Sequence, residues 1–562
     1  MNKAKKGIKL YLAALAVAVA MAAAGCGGGG GSAPGDTISG SVQTPGGAVS
    51  ARSADRTSSA LQNVSSAVTV NAYSVGSSGA LTLLATSQST AAGNFSISLP
   101  SGVKVASTLV LLSVEFGSVE MRALATATSG VGISPVSEAV IQVIEQRMSD
   151  SGRSFSDLTR AEITAVETGV ATALEGENFA GATISDAIAD AAVAAARDAA
   201  VQAALASALP DSSSSSVAIA VVATTDWTSG ALSYITLNGD MSTAPAATNN
   251  VVSIHSDATV KADGGYVFVI NRYGQDNITV LDPADGLSLV TQFSTGNGSN
   301  PQDVAAISAT KAYVSRLGSA SLLIVNPATG TELGTINLSG FALSDGIPEM
   351  AQMVKVGTKV FVLLQNLVDW APAAPGILAV IDTATDSLID ADAAAPGVQG
   401  VEVSGWNPQY AVYNAATNRI YVSSSGDYYN PETPGGVDSV NPDTYAAASV
   451  ADKTGLGGAP GSLAVVSSSK AYVAVSDSSF VNHIIPFNPS TGAVSASVYT
   501  PGGYTVGGIA VDPFGYLLVP DMSYETPGIV FIDTLTNTVA QGPVSVGLPP
   551  YAVAFTTMQV DE

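Results

Sequence analysis

Over the last three-fifths of the chain, apolar and polar positions alternate in short bursts that recur at a nearly fixed interval. One apolar strand type appears as AIAVVATTD (218–226), YVFVINR (266–272), KAYVSR (311–316), KVFVLLQN (359–366), RIYVSSSG (419–426), KAYVAVSD (470–477) and GYLLVPD (515–521). Each is followed by a second strand that ends in a polar turn: LSYITLN, ITVLDPADG, LLIVNPATG, LAVIDTATD, GGVDSVNPD, IIPFNPSTG and IVFIDTLTN. With Asn238, Asp282, Asn326, Asp382, Asp438, Asn488 and Asp533 as equivalent turn positions, the spacing is 44 to 56 residues. A period of this length, built from strands and tight turns, suits a four-stranded unit repeated around an axis.

The phase of the repeat predicts how the ring closes. A strand precedes most of the KAYV-like strands, as PQDVAAIS, PEMAQMVKV, NPQYAVYN, PGSLAVVSS and VGGIAVDP. The first unit lacks it, and the last is followed by an unpaired PPYAVAFTT (549–557). That C-terminal strand is predicted to become the inner strand of the first unit, which removes both free sheet edges. The expected fold class is therefore mainly β: a seven-bladed β-propeller over 217–562, preceded by a small β-sandwich and a helical connector. The repeat unit, KAYV then VIDTATG-like, resembles the YVTN-type propeller repeats of bacterial surface and periplasmic proteins.

Between 37 and 128 the pattern is again short and β-branched: ISGSVQ, VTVNAYSV, LTLLATSQ, NFSISLP and TLVLLSVEF, separated by turn residues. This order resembles the carboxypeptidase-regulatory-like, prealbumin-type sandwich, in which Gly93-Asn94-Phe95 would form a hairpin leading to an inward aromatic. The resemblance implies a spacer or adhesion-like module without chemistry of its own. From 129 to 210 the period becomes helical. Ser134-Pro135 offers an N-cap and a proline at the first helical position, and Val136, Ala139, Val140, Val143 and Ile144 follow at helical spacing. A second helix is predicted after Leu158 and a third from Thr183 to Leu209. Pro210 and a serine run at 211–216 read as a linker.

The N terminus reads as an export signal. Lys3, Lys5, Lys6 and Lys9 precede an apolar stretch from Leu10 to Ala24, too short to span a membrane comfortably. Ala23-Ala24-Gly25-Cys26 resembles a lipoprotein signal-peptidase site, although Ala23 stands where that pattern usually has Leu. The expectation is a signal peptide over 1–25, lipidation at Cys26 and a glycine-rich tether over 26–36. Gly27 in place of Asp favours the outer membrane or cell surface by the same resemblance.

Composition narrows the chemistry. A formal net charge of −24 argues against nucleic acid and anionic lipid. The single cysteine allows no internal disulfide and no Cys-ligated haem or iron–sulfur cluster, and His255 and His483 are the only histidines. No Gly-x-Ser-x-Gly, His-Glu-x-x-His or Walker-type loop appears. Several loops leading into or between the repeat strands carry polar residues: Arg272, Gln275, Asp276 and Asn277; Asn300 and Asp303; Asp345 and Glu349; Gln365 and Trp370; and Trp406, Asn407 and Tyr410. These loops resemble an uncharacterised group of secreted bacterial propellers with NR-x-GQDN, NP-x-D and DG-x-PEM signatures, for which no activity carries over. Two readings of these residues stay open: Asp and Asn capping blade corners, or a polar mouth. In the second, Asp276, Asp303, Asp345 and Glu349 converge, Arg272 and Trp370 sit at the rim, and Asn277, Asn300, Gln365 and Asn407 contribute. Asp276, Asp303 and Glu349 would be the ligands of a Ca²⁺ ion, and aromatics beside Asn and Gln would suit a sugar or peptide. The first functional expectation is a monomeric envelope lipoprotein that binds a protein, glycan or other envelope component. An extracytoplasmic hydrolase or lactonase-like enzyme and a purely structural protein are the alternatives.

Overall fold

In the computed structural model, residues 34–46, 61–76, 79–151, 154–175, 177–209, 215–502 and 506–560 are described. The signal segment, Cys26 and most of the tether lie outside them. The chain divides into two compact units at Ser213/Ser214.

In the first unit, strands Leu61–Asn63, Thr37–Pro45 and Asn94–Ser98 form one sheet, to which Val131–Ile133 adds in parallel against Thr37–Pro45. Leu81–Gln88, Thr69–Val75, Val110–Phe116 and Val119–Leu124 form a second. Their alternating residues interdigitate: Ile38, Val42, Phe95 and Ile97 share a core with Val70, Leu112, Val114 and Met121. The opposite face of the second sheet supplies Leu111 and Leu124 to another core, filled by Ile141, Ile144, Ile163, Val170, Ala191 and Leu205 of the helices. Thr159 caps Arg160–Ala173, and its side chain accepts from the Glu162 N–H at 3.3 Å. The third predicted helix is broken in two, Ile184–Arg197 and Ala199–Ala208. The cause is Asp198, whose carboxylate accepts from the Ala200 and Val201 N–H groups at 2.9 Å and so caps a new helix instead of continuing the old one.

In the second unit the described strands form seven sheets of three to five strands in succession, with a small two-stranded sheet, Leu367–Val368 and Ala371–Pro372, in a hairpin of the fourth. The first is Pro550–Val560, Ser215–Thr225, Gly230–Thr236 and Ala247–Ile254, so the C-terminal strand does pair with the N-terminal one, in antiparallel register from Pro550↔Thr224 to Val560↔Ser215. The strand begins at Ser215, which takes in the last two serines of the expected linker. The innermost strands Pro550–Val560, Ala258–Asp263, Pro301–Ser308, Met350–Val356, Pro408–Asn414, Ala459–Val465 and Ala510–Val511 lie beside one another in that order, and Tyr516–Asp521 packs back against the first. This is a β-propeller.

The packing explains why the KAYV-type strands are continuously apolar rather than alternating. Each lies between two neighbouring sheets and is buried on both faces. In Tyr266–Asn271, Val267 and Val269 face the first sheet while Phe268 and Ile270 face the third. Seven such cores alternate with the seven sheets, and the last joins Ala220 and Val222 to Leu518 and Phe531. Two carboxylates staple neighbouring inner strands to one another. Asp303 receives Lys261 Nζ at 3.0 Å and the Met353 N–H at 2.8 Å. Asp263 receives the Ala306 N–H at 2.9 Å and Lys355 Nζ at 3.2 Å.

One turn assignment changes. In the fifth sheet the polar turn residue is Asn441, whose side chain accepts from the Asp443 and Thr444 N–H groups. Asp438 lies inside strand Gly436–Val440, buried opposite Val422, where it accepts from Ser404 Oγ and the Gly405 N–H. Burial raises its pKa against those hydrogen bonds.

Candidate functional site

Antiparallel order fixes which loops share a face. The start of each innermost strand and the hairpin between its second and third strands fall at the same end of the sheet. Every polar residue named for the candidate mouth lies at that end. Most of them use their side chains locally. Asp276, 6% exposed, ties down the 296–300 loop by accepting from the Gly298 and Asn300 N–H groups at 2.8 and 2.7 Å. Asn300 Oδ1 receives Gln302 Nε2, and Asn277 Oδ1 receives Asn271 Nδ2. Glu349 accepts from the Leu367 N–H at 2.9 Å, while its own carbonyl accepts from the Gln365 N–H. Burial, with a smaller push from neighbouring Asp345, raises its carboxyl to about 7 against that hydrogen bond. Asn407 Nδ2 donates to Ser425 Oγ at 3.0 Å. Trp370 is 75% exposed.

The structure thus brings Asp345 to Glu349 and Asp276 to the Asn300 backbone, but it does not gather Asp276, Asp303 and Glu349. The Ca²⁺ expectation on those three is not met: among the described residues no group of three or more His, Cys, Asp or Glu side chains is placed to hold a metal. The physical reason is that each carboxylate is already engaged where it stands: Asp276 by the Gly298 and Asn300 N–H groups of the neighbouring loop, Glu349 by the Leu367 N–H of the adjacent hairpin, and Asp303 by Lys261 and the Met353 N–H.

What the face does assemble is aromatic. Among the described residues the exposed aromatic side chains are Trp227, Tyr273, Trp370, Tyr428, Tyr429, Phe480 and Tyr524. All of them lie in second-to-third hairpins, and only the third sheet's hairpin, Arg316 to Ser321, carries none. Trp227, Trp370 and Phe480 hold left-handed backbone at φ of 65°, 66° and 60°. Bulky residues rarely adopt that conformation, which costs about 1–3 kcal/mol and concentrates at functional positions.

Beside these hairpins lies a cleft of about 370 Å³, lined by Tyr410, Tyr428, Tyr429, Phe480 and Tyr551 with Gln409, Ser476 and Asn482. Tyr429 and Phe480 meet at its mouth, ring centroids 6.4 Å apart. Tyr410 is fixed by donating from its hydroxyl to the Gly507 carbonyl at 2.8 Å, and burial raises its pKa. Gly507 is required here, because a Cβ would come within 2.5 Å of the Tyr551 carbonyl oxygen and 2.7 Å of its ring. Arg272 holds Tyr551 from behind. Its Nη2 donates to the phenol oxygen at 3.1 Å and its Nε to Asp257 at 2.8 Å, and Trp227 meets the Tyr551 ring edge-on at 5.6 Å. Burial works against the Arg272 charge, and Tyr551 and Asp257 outweigh it and raise its pKa. Arg272 thus acts as a support, and the lining residues Tyr428, Tyr429, Phe480 and Tyr551 were missed. The signal that finds the first three is an aromatic in the loop after most KAYV-like strands, as TDW, RYG, VDW, DYY, SSF and MSY; Tyr551 lies on the closing strand and carries no such signal.

No family model matches the chain, and no curated protein matches it. Among solved structures, hydrazine synthase from Kuenenia stuttgartiensis is 13% identical, covering 58% of this chain and 95% of its own, with a TM-score of 0.38. Apo AztD from Citrobacter koseri is 14% identical, covering 62% of this chain and all (100%) of its own, with a TM-score of 0.38. A protein from Lactobacillus plantarum is 11% identical, covering 61% of this chain and 100% of its own, with a TM-score of 0.43. Likeness at this level says nothing about ligand or activity.

Proposed function

We propose that this chain is an exported envelope lipoprotein whose seven-bladed, YVTN-type propeller binds an envelope protein, glycan or other component through its aromatic face. One observation carries the reading: the exposed aromatics of the described residues are confined to the hairpins of a single face, three of them on strained backbone. Exposed aromatic clusters of this kind cost solubility and mark interaction surfaces. Of the exposed aliphatics in this unit, Val251, Leu289, Leu333 and Val539 lie instead on outermost strands, while Val481 adjoins Phe480 in its hairpin. The lysine-rich start, the apolar stretch and Cys26 support export and lipid attachment at the outer membrane or cell surface, with the prealbumin-type sandwich as spacer. Among the described residues no helix is long and apolar enough to cross a membrane. Two experiments test the reading. Radiolabelled palmitate should be incorporated by the wild type and not by Cys26→Ser. The full chain should retain an envelope component that the Trp370→Ser, Tyr429→Ser, Phe480→Ser triple variant releases, and equal retention by both would contradict the reading.

A second reading, an extracytoplasmic hydrolase or lactonase-like enzyme, is favoured by a hydroxyl–imidazole–carboxylate chain on the same face. Thr500 Oγ1 lies 3.2 Å from His483 Nδ1, and His483 Nε2 lies 3.2 Å from Asp477 Oδ2. In that case Thr500 is the nucleophile and His483 the base that takes its proton. Ester or lactone hydrolysis abolished by both Thr500→Ala and His483→Ala would establish it; absence of turnover would refute it.

A further inference from the structure

We infer that the cleft between Tyr410, Tyr428, Tyr429, Phe480 and Tyr551 is a subsite for a pyranose unit of a neutral glycan. This rests on the binding reading above and names its ligand class.

The first argument is electrostatic. None of the described residues lining the cleft carries a charge, although the chain has a formal net charge of −24. Of the charged groups near it, Arg272 and Asp257 stand behind Tyr551 paired with each other, Asp477 accepts from the Ser479 and Val481 N–H groups and faces His483, and Asp427 accepts from the Tyr429 N–H. A phosphate, a carboxylate or the terminus of a peptide would find no charged partner in the cleft, and desolvating it there would go uncompensated. A neutral ligand avoids that cost.

The second argument is the mixture of surfaces. Tyr429 is 89% exposed and Phe480 50%, so both offer ring faces to solvent. The C–H face of a pyranose covers such a ring, while its equatorial hydroxyls need donors and acceptors around the edge. Gln409, Asn482 and Ser476 supply both kinds. The cleft's volume of about 370 Å³ falls within the range of small-ligand sites.

The third argument is continuity. Trp227 meets Tyr551 at 5.6 Å, and Tyr273, Trp370 and Tyr524 occupy hairpins further around the same face. A chain of sugar units leaving the cleft therefore has further stacking platforms. That suits an oligosaccharide better than a single small molecule.

The test is titration calorimetry of the full chain with neutral hexasaccharides of glucose, mannose, xylose and N-acetylglucosamine, and with hexagalacturonate as the acidic comparator. The expected result is that at least one neutral hexasaccharide binds with an affinity unchanged by added salt. Tyr429→Ala should weaken it by roughly 3- to 10-fold, since a ring contact is worth about 0.5–1.5 kcal/mol. Tyr429→Phe should restore it, and Leu333→Ala on the outer rim should leave it intact. Tighter binding of hexagalacturonate, or neutral binding indifferent to Tyr429→Ala, would overturn the inference. If no hexasaccharide binds while the full chain still holds an envelope protein through its aromatic hairpins, the ligand class is wrong and the binding reading stands. If nothing is held at all, both fall.

Discussion

Removing Pro549 to Glu562 strips the innermost strand from the first sheet and opens the ring. The structure sets the size of the effect. The strand makes ten register pairs with Ser215–Thr225. At a net value of about 0.5–1 kcal/mol for each backbone hydrogen bond, that is roughly 5–10 kcal/mol. Two cores are also opened, because Ala552 and Met558 are buried against the second sheet while Val553 and Phe555 pack towards the seventh. A domain's whole stability is about 5–15 kcal/mol, so the truncated ring should not persist as a cooperative unit. Trp227, Trp370 and Trp406 are the only tryptophans, and all lie in the propeller unit. Urea unfolding followed by tryptophan fluorescence therefore reports on this unit alone. The truncated chain should show no cooperative transition or one at much lower urea, and a synthetic 549–562 peptide added in excess should restore it. Met558→Ala should lower stability by about 2–4 kcal/mol in the same assay. An unchanged midpoint and slope in the truncated chain would refute the closure argument.

Four further outcomes follow from particular side chains. Glu349 carries a folded pKa of about 7 against an ordinary value of 4.5, so the stability it contributes is complete below 4.5 and lost as pH rises through 7. Glu349→Gln should remove that slope and be more stable than wild type at pH ~8, by at most about 3 kcal/mol and by less as water at the loop screens it; urea midpoints across pH will show it. Asp303→Ala orphans Lys261 and the Met353 N–H and should cost about 2–4 kcal/mol by the same fluorescence assay. Phe480→Asn relieves a φ of 60° and should gain up to about 1 kcal/mol of stability while losing ligand, a divergence that parallel melting and binding curves will reveal. In the first unit, Arg122→Ala leaves Glu138, 3% exposed, without its ion-pair partner and should cost about 3 kcal/mol, read by far-ultraviolet circular dichroism.

The repeat was legible because burial on both faces writes an unbroken apolar run into each second strand, and the missing first inner strand pointed to PPYAVAFTT (549–557) as its substitute, which the structure extends to Val560. Where two polar residues competed within one turn region, as in GGVDSVNPD, sequence spacing chose Asp438. Only the strand register showed that this residue points into the sheet and that Asn441 makes the turn. The break at Asp198 was hidden in the same way, since an Ala-rich run reads as one helix until a side chain is seen capping the next. For the site, strand order was enough to bring the polar loop residues to one face. Whether Asp276 or Glu349 reaches outward or bonds the loop beside it depends on how neighbouring loops pack, and the spacing of residues does not carry that. The aromatics at the hairpin tips were visible in the sequence as single letters and gained meaning only once the hairpins were known to share an end.

The central claim is that one face of the propeller, through its aromatic hairpins, holds an envelope ligand. Its most direct test is quantitative capture of envelope extract, fractionated into protein and polysaccharide, on the immobilised full chain. Three proteins should be compared: the wild type, a variant with Trp227, Tyr273, Trp370, Tyr429, Phe480 and Tyr524 changed to Ser, and a control with Leu289, Leu333 and Val539 of the outer strands changed to Ser. The account predicts saturable retention of a defined component by the wild type and the outer-strand control, lost in the aromatic variant at unchanged fold. Equal retention by all three, or retention by none, would contradict it.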